Sequence, residues 1–339
     1  VVSATLGVAH PTGYPLYTLL GKLFTLLPVG DVAYRVNLFS AVSAATGVAF
    51  VVRTIQVLIC REGSPARERL LSEWFPAAVG GLTLAFSVTY WQQAVVAEKY
   101  ALNAAFIAVL LWLIAAWLTA DKQRHRPSLP VVAFIYGLSL THHRTVLLFA
   151  PAIALALAYR WLGDRFRSLR DAPSTGGKGS VPVLSVQLGA ATAAFVAPLV
   201  LYAYLPLRQP MGLREFVRLV TGAEYRGALR WGSWLAEPDR LDVLFRLARA
   251  QLHGAALSVG VVLVVLGFLW LLRRRPGYAA VSFLGAAATV LFAASYYADY
   301  NDANYLLPAY IVLATWLGAG CAVVVGLGRR LPILLPVAG

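Results

Sequence analysis

Residues 98–126 read EKYALNAAFIAVLLWLIAAWLTADKQRHR, and this stretch shows the pattern that decides the fold. A polar group opens it at Glu98, and an apolar run continues to residue 120. Basic residues close it at Lys122, Arg124 and Arg126. A bilayer core of about 30 Å needs roughly 20 apolar residues when they are helical. The run therefore predicts one membrane-spanning helix, with a polar motif at its start and positive charge beyond its end.

Apolar stretches of spanning length recur along the chain. They cover residues 32–59, 75–97, 183–207, 254–272, 277–298 and 305–327, with a shorter pair at 131–141 and 145–160. Of the 339 residues, 59% are hydrophobic and 13% are charged, which excludes an ordinary soluble globule. We predict an all-α fold, a polytopic transmembrane helical bundle with interfacial helices in its external loops.

Basic clusters occupy every second loop of this predicted bundle. They are Arg61/Arg67/Arg69, Lys122/Arg124/Arg126, Arg160/Arg165/Arg167/Arg170/Lys178, Arg273/Arg274/Arg275 and Arg329/Arg330. The positive-inside rule puts all of them in the cytoplasm. Attraction to anionic lipid headgroups explains the net charge of +14, so we expect a membrane lipid partner and no nucleic acid. The expected location is a bacterial cytoplasmic (inner) membrane, with the polar motifs on the external face.

The predicted organisation has four parts. Residues 1–31 form an external loop with an interfacial helix, and residues 32–160 form transmembrane helices joined by short external motif loops. Residues 161–182 form a cytoplasmic linker. Residues 183–339 form further transmembrane helices and include an external amphipathic loop at 208–253, where apolar residues lie on one helical face.

The block 131–160 contains His-His-Arg near its middle. A single helix with Arg144 at the bilayer centre costs at least a few kcal/mol. Two short helices that meet at an external turn avoid this cost, and we favour them. Adjacent histidines point about 100° apart on a helix, so His142 and His143 are poor joint metal ligands. Arg144 suits a phosphate, because its guanidinium keeps its charge and binds oxygens in pairs.

Other external residues are candidates for binding or chemistry. In Ala9–Tyr17, two prolines and a glycine predict a rigid turn that fixes His10 and Tyr14, either as part of a substrate loop or as a plain turn with tyrosine anchors. Glu98 suits a general base, a metal ligand or a sugar-hydroxyl acceptor, or else a simple acid at a helix N-terminus.

Two later segments add candidates. The external loop holds eight arginines, of which Arg208 and Arg226 suit an anionic donor, although long translocated loops also escape the charge rule. Asp299 and Asp302 lie among tyrosines and amides typical of sugar binding, with a capped loop as the alternative. No phosphate-binding glycine loop, dinucleotide fingerprint or zinc spacing is present. The sequence identifies no particular cofactor; a divalent metal stays open, although no motif supports one.

The motifs together resemble a large bacterial membrane-protein family, long labelled a domain of unknown function. The matching segments are Leu6-Gly-Val-Ala-His-Pro-Thr-Gly-Tyr-Pro-Leu-Tyr17, Gly30–Ser40, Ala94–Asn103, Gly137–His143 and Tyr305-Leu-Leu-Pro308. That family is related to the eukaryotic protein O-mannosyltransferases of plexin-type receptors and is grouped with the GT-C glycosyltransferases. The resemblance implies a GT-C-like fold. It also implies inverting transfer of a sugar such as mannose from a polyprenyl-phosphate donor to a protein or glycan hydroxyl on the non-cytoplasmic face.

The resemblance also implies a catalytic carboxylate shortly before the Ala-His-Pro motif, in a segment that would precede Val1. We therefore expect an N-terminally truncated chain whose base lies upstream, with Glu98 as the best remaining acid by its position. Two other functions stay open at this point. One is a transporter or flippase for a lipid-linked glycan, and the other is a non-catalytic assembly subunit.

Overall fold

The computed structural model describes residues 2–60, 65, 69–120, 127–170, 181–237, 239–251, 255–296 and 302–328. Over these ranges the chain is helical and contains no β-strand, and one isolated bridge pairs Leu229 with Tyr296. The predicted all-α fold is confirmed.

The helices follow the hydropathy pattern of the sequence. They are α1 (Val2–Thr5), α2 (Pro15–Thr25), α3 (Val32–Ile59), α4 (Phe75–Ala85), α5 (Val88–Ala94), α6 (Tyr100–Thr119), α7 (Leu129–Leu140), α8 (Ala150–Arg170), α9 (Val181–Val196), α10 (Tyr204–Arg208), α11 (Leu213–Thr221), α12 (Ser233–Ala236), α13 (Asp239–Arg249), α14 (Ala255–Arg274), α15 (Pro276–Ser295), α16 (Asp302–Tyr305) and α17 (Leu307–Gly328). A π-helical turn at Leu70–Trp74 leads into α4. Tighter 3-10 turns lie at Arg144–Phe149, Ala197–Ala203 and Ala223–Ala228.

Within the part of the chain that the structure describes, six helical segments are long and apolar enough to cross a membrane. They are Val32–Ile59, Tyr100–Thr119, Arg144–Gly163, Gln187–Arg208, Pro276–Ser295 and Leu307–Gly328. The first of them begins and ends at the predicted residues, and Asp31 caps it by accepting a hydrogen bond from the Tyr34 N–H at 2.7 Å. The chain is an integral membrane protein.

The predicted span at 75–97 is broken rather than continuous. Leu70–Ala85 and Val88–Ala94 meet at an angle of 71°. At the break, the Ser87 hydroxyl donates to the Leu84 carbonyl oxygen at 2.8 Å, and the Thr89 N–H donates to the Gln251 side chain at 2.9 Å. These bonds satisfy backbone groups that a continuous helix would pair internally, so the chain can bend here.

The turn at His142 lies between two helices, as predicted, but the second helix is not short. After α7, the chain turns at Thr141–His143 and continues through the 3-10 segment into α8, which ends at Arg170. The first ten residues of the segment predicted as a linker, 161–182, are therefore helical. Position 144 begins the new helix, and for this reason Arg144 lies at a helix end rather than in a helix interior.

The helices define two ends of the bundle. At one end α3, α6, α14 and α17 begin and α7 and α15 end, and we call it the motif end. At the other, the basic end, lie the described arginines of the predicted cytoplasmic clusters. The core joins α3 to α6 and α14 to α17. At Gly267 and Gly320, an added Cβ would collide with backbone of the opposing helix, so small residues allow this close contact.

Amphipathic helices lie around the motif end. In α2, Leu16 is buried whereas Leu23 is exposed, as is Leu26 directly after the helix. Leu213 of α11 and Phe245 of α13 are likewise exposed. Each of these helices falls in a segment where the sequence predicted an interfacial helix.

Candidate functional site

The turn before α2 presents His10 and Tyr14. The Gly13 N–H donates to the His10 carbonyl oxygen at 2.8 Å, and Gly13 and Tyr14 both have positive φ, 84° and 43°. A non-glycine residue in this region is uncommon and carries a steric cost, which the surrounding packing must offset. The ring of Tyr14 is buried, and it meets His10 edge-on at 5.1 Å between centroids.

The two histidines after α7 are buried and face different partners. His142 hydrogen-bonds through Nε2 to the Lys99 carbonyl oxygen at 2.8 Å, and since a carbonyl only accepts, Nε2 carries the proton. Nδ1 of His143 accepts from the Thr145 N–H at 3.4 Å, so its proton also sits on Nε2. Burial lowers the pKa of His142 to about 3 and that of His143 well below the ordinary value. Both rings are neutral at physiological pH.

Lys99 is a cation close to this turn. Its Nζ lies 4.5 Å from the ring centroid of Tyr100, 5.8 Å from that of Tyr14, and 3.4 Å from the Glu98 carboxylate. Its side chain is 15% exposed, against 50% for Glu98. An ammonium held over aromatic faces and largely removed from water is well placed to attract an anion.

A row of aromatic rings continues from Tyr14 across the motif end. His143 stacks on Tyr14 at 5.9 Å and contacts Tyr100 at 5.7 Å. Tyr305 lies 6.0 Å from Tyr100 and 5.1 Å from Tyr296. Planar rings with polar edges suit the apolar faces and hydroxyl groups of a sugar.

These side chains line a cavity of about 630 Å³, which we call the cationic cavity. His10, Tyr14, His143, Arg144 and Arg226, all candidates from the sequence, lie in its wall. Together with Lys99, the two arginines give the cavity wall three cations, and no described lining residue is an Asp or Glu. The cavity therefore favours an anion in a partly apolar setting, where charge interactions are stronger than in water.

Arg144 lines the cationic cavity and also contacts the end of α11. Its guanidinium donates to the carbonyl oxygen of Thr221, the last residue of α11, and so caps that helix. Gly222 follows with φ of 54°, and a Cβ there would lie 3.0 Å from the Arg144 guanidinium. One donor positions Arg144, and a guanidinium has five, so the others stay available to a ligand.

His10 also borders two neighbouring cavities. One, of about 620 Å³, is lined by Glu98, Lys99 and Tyr17 with the N-terminal segment. The other, of about 680 Å³, lies against α11. Burial, and then the nearby Lys99 charge, lower the pKa of His10, while Glu98 opposes this shift. His10 is thus a neutral imidazole between the cationic cavity and the space that holds Glu98.

The remaining candidates lie elsewhere or outside the described residues. Arg208 is not brought to the cationic cavity, because its guanidinium donates to the Leu6 carbonyl oxygen at 2.7 Å and the Thr5 carbonyl oxygen at 3.2 Å. Asp299 lies outside the described residues, and only the backbone of Asp302 is described, at the start of α16. Within the described ranges, no group of three or more His, Cys, Asp or Glu could hold a metal ion.

Lys99 was missed as a site residue by sequence reasoning, although a signal was present. A lysine at the start of α6 opposes the helix dipole. An unfavourable charge in that position is better explained by binding than by topology. Tyr305 and Tyr296 were recognised only as part of a tyrosine-rich segment.

The fold places the chain in a known class. The crystal structure of ArnT from Cupriavidus metallidurans bound to undecaprenyl phosphate matches with a TM-score of 0.62 at 13% identity, over 94% of this chain and 53% of that one. The apo structure of the same protein matches with a TM-score of 0.58 at 14% identity, over 93% and 49%. The chain therefore has the fold of the GT-C glycosyltransferases.

Sequence relatives narrow this class. Residues 1–165 match the family described as the Protein O-mannosyl-transferase TMEM260 N-terminal domain. The Protein O-mannosyl-transferase TMEM260 of Mus musculus is 34% identical over 204 residues, and the Dictyostelium discoideum protein is 24% identical over 173. These stretches cover 60% and 47% of this chain, but 25% and 20% of the relatives. The resemblance read from the motifs is confirmed, and the chain spans about a quarter of the curated relatives' length.

Proposed function

We propose that the protein is a membrane glycosyltransferase that takes a sugar, mannose by analogy with its relatives, from a polyprenyl-phosphate donor. The acceptor is a protein or glycan hydroxyl at the motif end, which we take to be the external face of a bacterial inner membrane. The single observation that carries this proposal is the cationic cavity, with three cations, no described acid, and an aromatic wall.

The donor phosphate is assigned to Lys99, Arg144 and Arg226. All three line the cavity, and Arg144 is fixed by its bond to the end of α11. Charge-assisted hydrogen bonds to phosphate are about twice as strong as neutral ones. The ArnT structure bound to undecaprenyl phosphate supports a polyprenyl carrier for this fold.

In this arrangement the polyprenyl chain and the sugar of the donor lie on opposite sides of its phosphate. Leu147, Leu148 and Phe292 form an apolar part of the wall beside the bundle, where a polyprenyl chain can leave towards lipid. Tyr14, Tyr100 and Tyr305 form the aromatic part, where a sugar ring can stack. Such a division suits a ligand that is charged in its middle.

Transfer requires one bond to form and one to break. The acceptor hydroxyl oxygen bonds to the anomeric carbon, and the bond from that carbon to the phosphate oxygen breaks. The polyprenyl phosphate leaves with the electron pair. Lys99, Arg144 and Arg226 stabilise the charge that develops on it. The hydroxyl proton passes to a base, and Glu98 and His10 lie beside the cavity and can accept it.

The test uses membranes that contain the complete protein and a radiolabelled mannosyl-phosphate-polyprenol. We expect label to appear in protein or glycan, and Arg144→Gln with Arg226→Gln to reduce this transfer at least a hundredfold. The matched control is Arg246→Gln, which removes an exposed arginine from α13, away from the cavity. Wild-type transfer by the double variant would refute the site. Label that crosses vesicles without reaching an acceptor would point instead to a transporter.

A further inference from the structure

A second cavity, of about 660 Å³, lies between α14 and α17 and shares no lining residue with the cationic cavity. The end of α4 and helix α13 close it at the motif end. Most of its wall is apolar, formed by Leu84, Phe245, Val261, Val265, Leu313 and Leu317. We call it the lateral groove, because Val261 and Val265 also stand 55% and 50% exposed on the outer side of the bundle. It is therefore open to lipid from the side.

Polar groups are confined to the motif end of the lateral groove. Ser87, Arg249, Gln251 and Tyr310 lie there. Helix α17 begins at Leu307, so Tyr310 is about one turn inside it. Leu317 lies seven residues further, or about 10 Å along the helix. Half of a bilayer core is about 15 Å, so the apolar part matches the depth of one leaflet.

The Tyr310 hydroxyl is buried, in a side chain that is 7% exposed, and no described residue gives it a hydrogen bond of full geometry. Gln251 lies close enough to interact with this hydroxyl, and it also makes two other hydrogen bonds. Its oxygen accepts from the Thr89 N–H at 2.9 Å, and its nitrogen donates to the Leu247 carbonyl oxygen at 2.9 Å. A buried hydroxyl whose hydrogen bonding is incomplete is costly, so a ligand that brings a further polar atom is favoured here.

Arg249 supplies a charge at the mouth of the groove. It is the last residue of α13, is exposed, and makes no ion pair with a described residue. Arg246, one turn earlier, is paired with Asp242 at 3.2 Å. The available cation is therefore the one that borders the lateral groove, and it favours an anionic headgroup.

We propose that the lateral groove binds one anionic phospholipid from the leaflet at the motif end. Its phosphate lies between Arg249 and the Tyr310 hydroxyl, and one acyl chain lies in the groove that α14 and α17 line on the outer side of the bundle. The lipid joins α13 to the transmembrane helices. The site is independent of the proposed transfer reaction, because it shares no residue with the cationic cavity.

The test is native mass spectrometry of the complete purified protein, with phosphatidylglycerol and phosphatidylcholine added at equal concentration. We expect one retained phosphatidylglycerol, preferred at least fivefold over phosphatidylcholine. Arg249→Gln should remove the preference, whereas the matched variant Arg246→Gln should keep it. Tyr310→Phe should lower retention several-fold without a change of fold.

A third variant locates the lipid. Val261→Trp adds bulk at an exposed position of the groove, so it should fold normally and lose the retained lipid. Equal retention of both lipids by the wild type would overturn the proposal. So would unchanged preference in Arg249→Gln, or phosphatidylglycerol retained in Val261→Trp. Displacement of phosphatidylglycerol by equimolar undecaprenyl phosphate would also overturn it and assign the groove to the carrier.

Discussion

His142 and Lys99 are joined by a hydrogen bond of 2.8 Å from the ring Nε2 to the backbone carbonyl oxygen. The bond ties the turn after α7 to the start of α6. It fixes the backbone from which the Lys99 side chain reaches over Tyr14 and Tyr100. His142 does not line the cationic cavity. It is therefore a positioning residue for a cation that does.

We predict that His142→Ala raises the KM for the donor more than it lowers kcat. The change removes one of the two donors to the Lys99 carbonyl oxygen, the other being the Asn103 N–H at 3.2 Å, at a cost of about 0.5–1.5 kcal/mol. It also loosens the ammonium that would hold the phosphate. His142→Gln keeps an N–H donor and should recover part of the affinity. Steady-state kinetics on the complete protein measure both effects. An equal loss in both variants, confined to kcat, would argue against positioning.

The same histidine makes stability depend on pH. Burial lowers the pKa of His142 from 6.5 to about 3. As pH falls below 6.5, His142 becomes protonated in the unfolded chain but stays neutral in the folded chain. The contribution of neutral His142 to the free energy of unfolding is fully present above pH 6.5. It falls by about 1.4 kcal/mol per pH unit towards pH 3.

Thermal unfolding in detergent at pH 7.5, 6.5 and 5.5 measures this dependence. We expect the wild type to lose stability over the last step and His142→Gln to lose less, because the ring that titrates is gone. Parallel losses in the two proteins would mean that other groups cause the acid sensitivity.

Substitutions of Arg226 and Arg208 should affect different quantities, donor binding in the first case and protein stability in the second. Arg226 lines the cationic cavity, so we expect Arg226→Gln to raise the donor KM about tenfold, which corresponds to 1.4 kcal/mol. Arg208 instead bonds to Leu6 and Thr5 carbonyl oxygens. Arg208→Gln should lower the melting temperature and leave the donor KM unchanged. The reverse pattern would restore Arg208 as a phosphate ligand, as its sequence context suggested.

Gly13→Ala should destabilise the turn that carries Tyr14. Gly13 has φ of 84°, and an added Cβ would lie 2.8 Å from a methyl group of Leu205. We expect a loss of about 1–3 kcal/mol from the strained backbone. Gly212→Ala is the matched control, because its φ is −73° and no atom lies within 4 Å of the added Cβ. Equal melting temperatures of the two variants would contradict this reading.

The spans could be predicted because membrane length and hydropathy leave few alternatives, and α3 is the clearest case. The break at Ser87 could not, because it depends on Gln251, which lies 162 residues from Thr89 in the chain. The candidate site could likewise be predicted only in part. Its polar turns were visible in the sequence, but the exclusion of Arg208 and the inclusion of Lys99 depend on which backbone groups lie near them. No local pattern records such tertiary contacts.

The arginines at the basic end have two uses. Arg160 donates to the Ala120 carbonyl oxygen at 3.2 Å and is only 8% exposed, and Arg275 donates to the Leu58 carbonyl oxygen at 3.2 Å. They close the last turns of α6 and α3, whose carbonyls have no partner within the helix. Neutralising either residue to map topology would thus fray a helix end as well. In a topology assay with a reporter fusion, a loss of signal would then mean either a changed orientation or an unfolded helix end. A stability measurement on the inserted protein distinguishes the two.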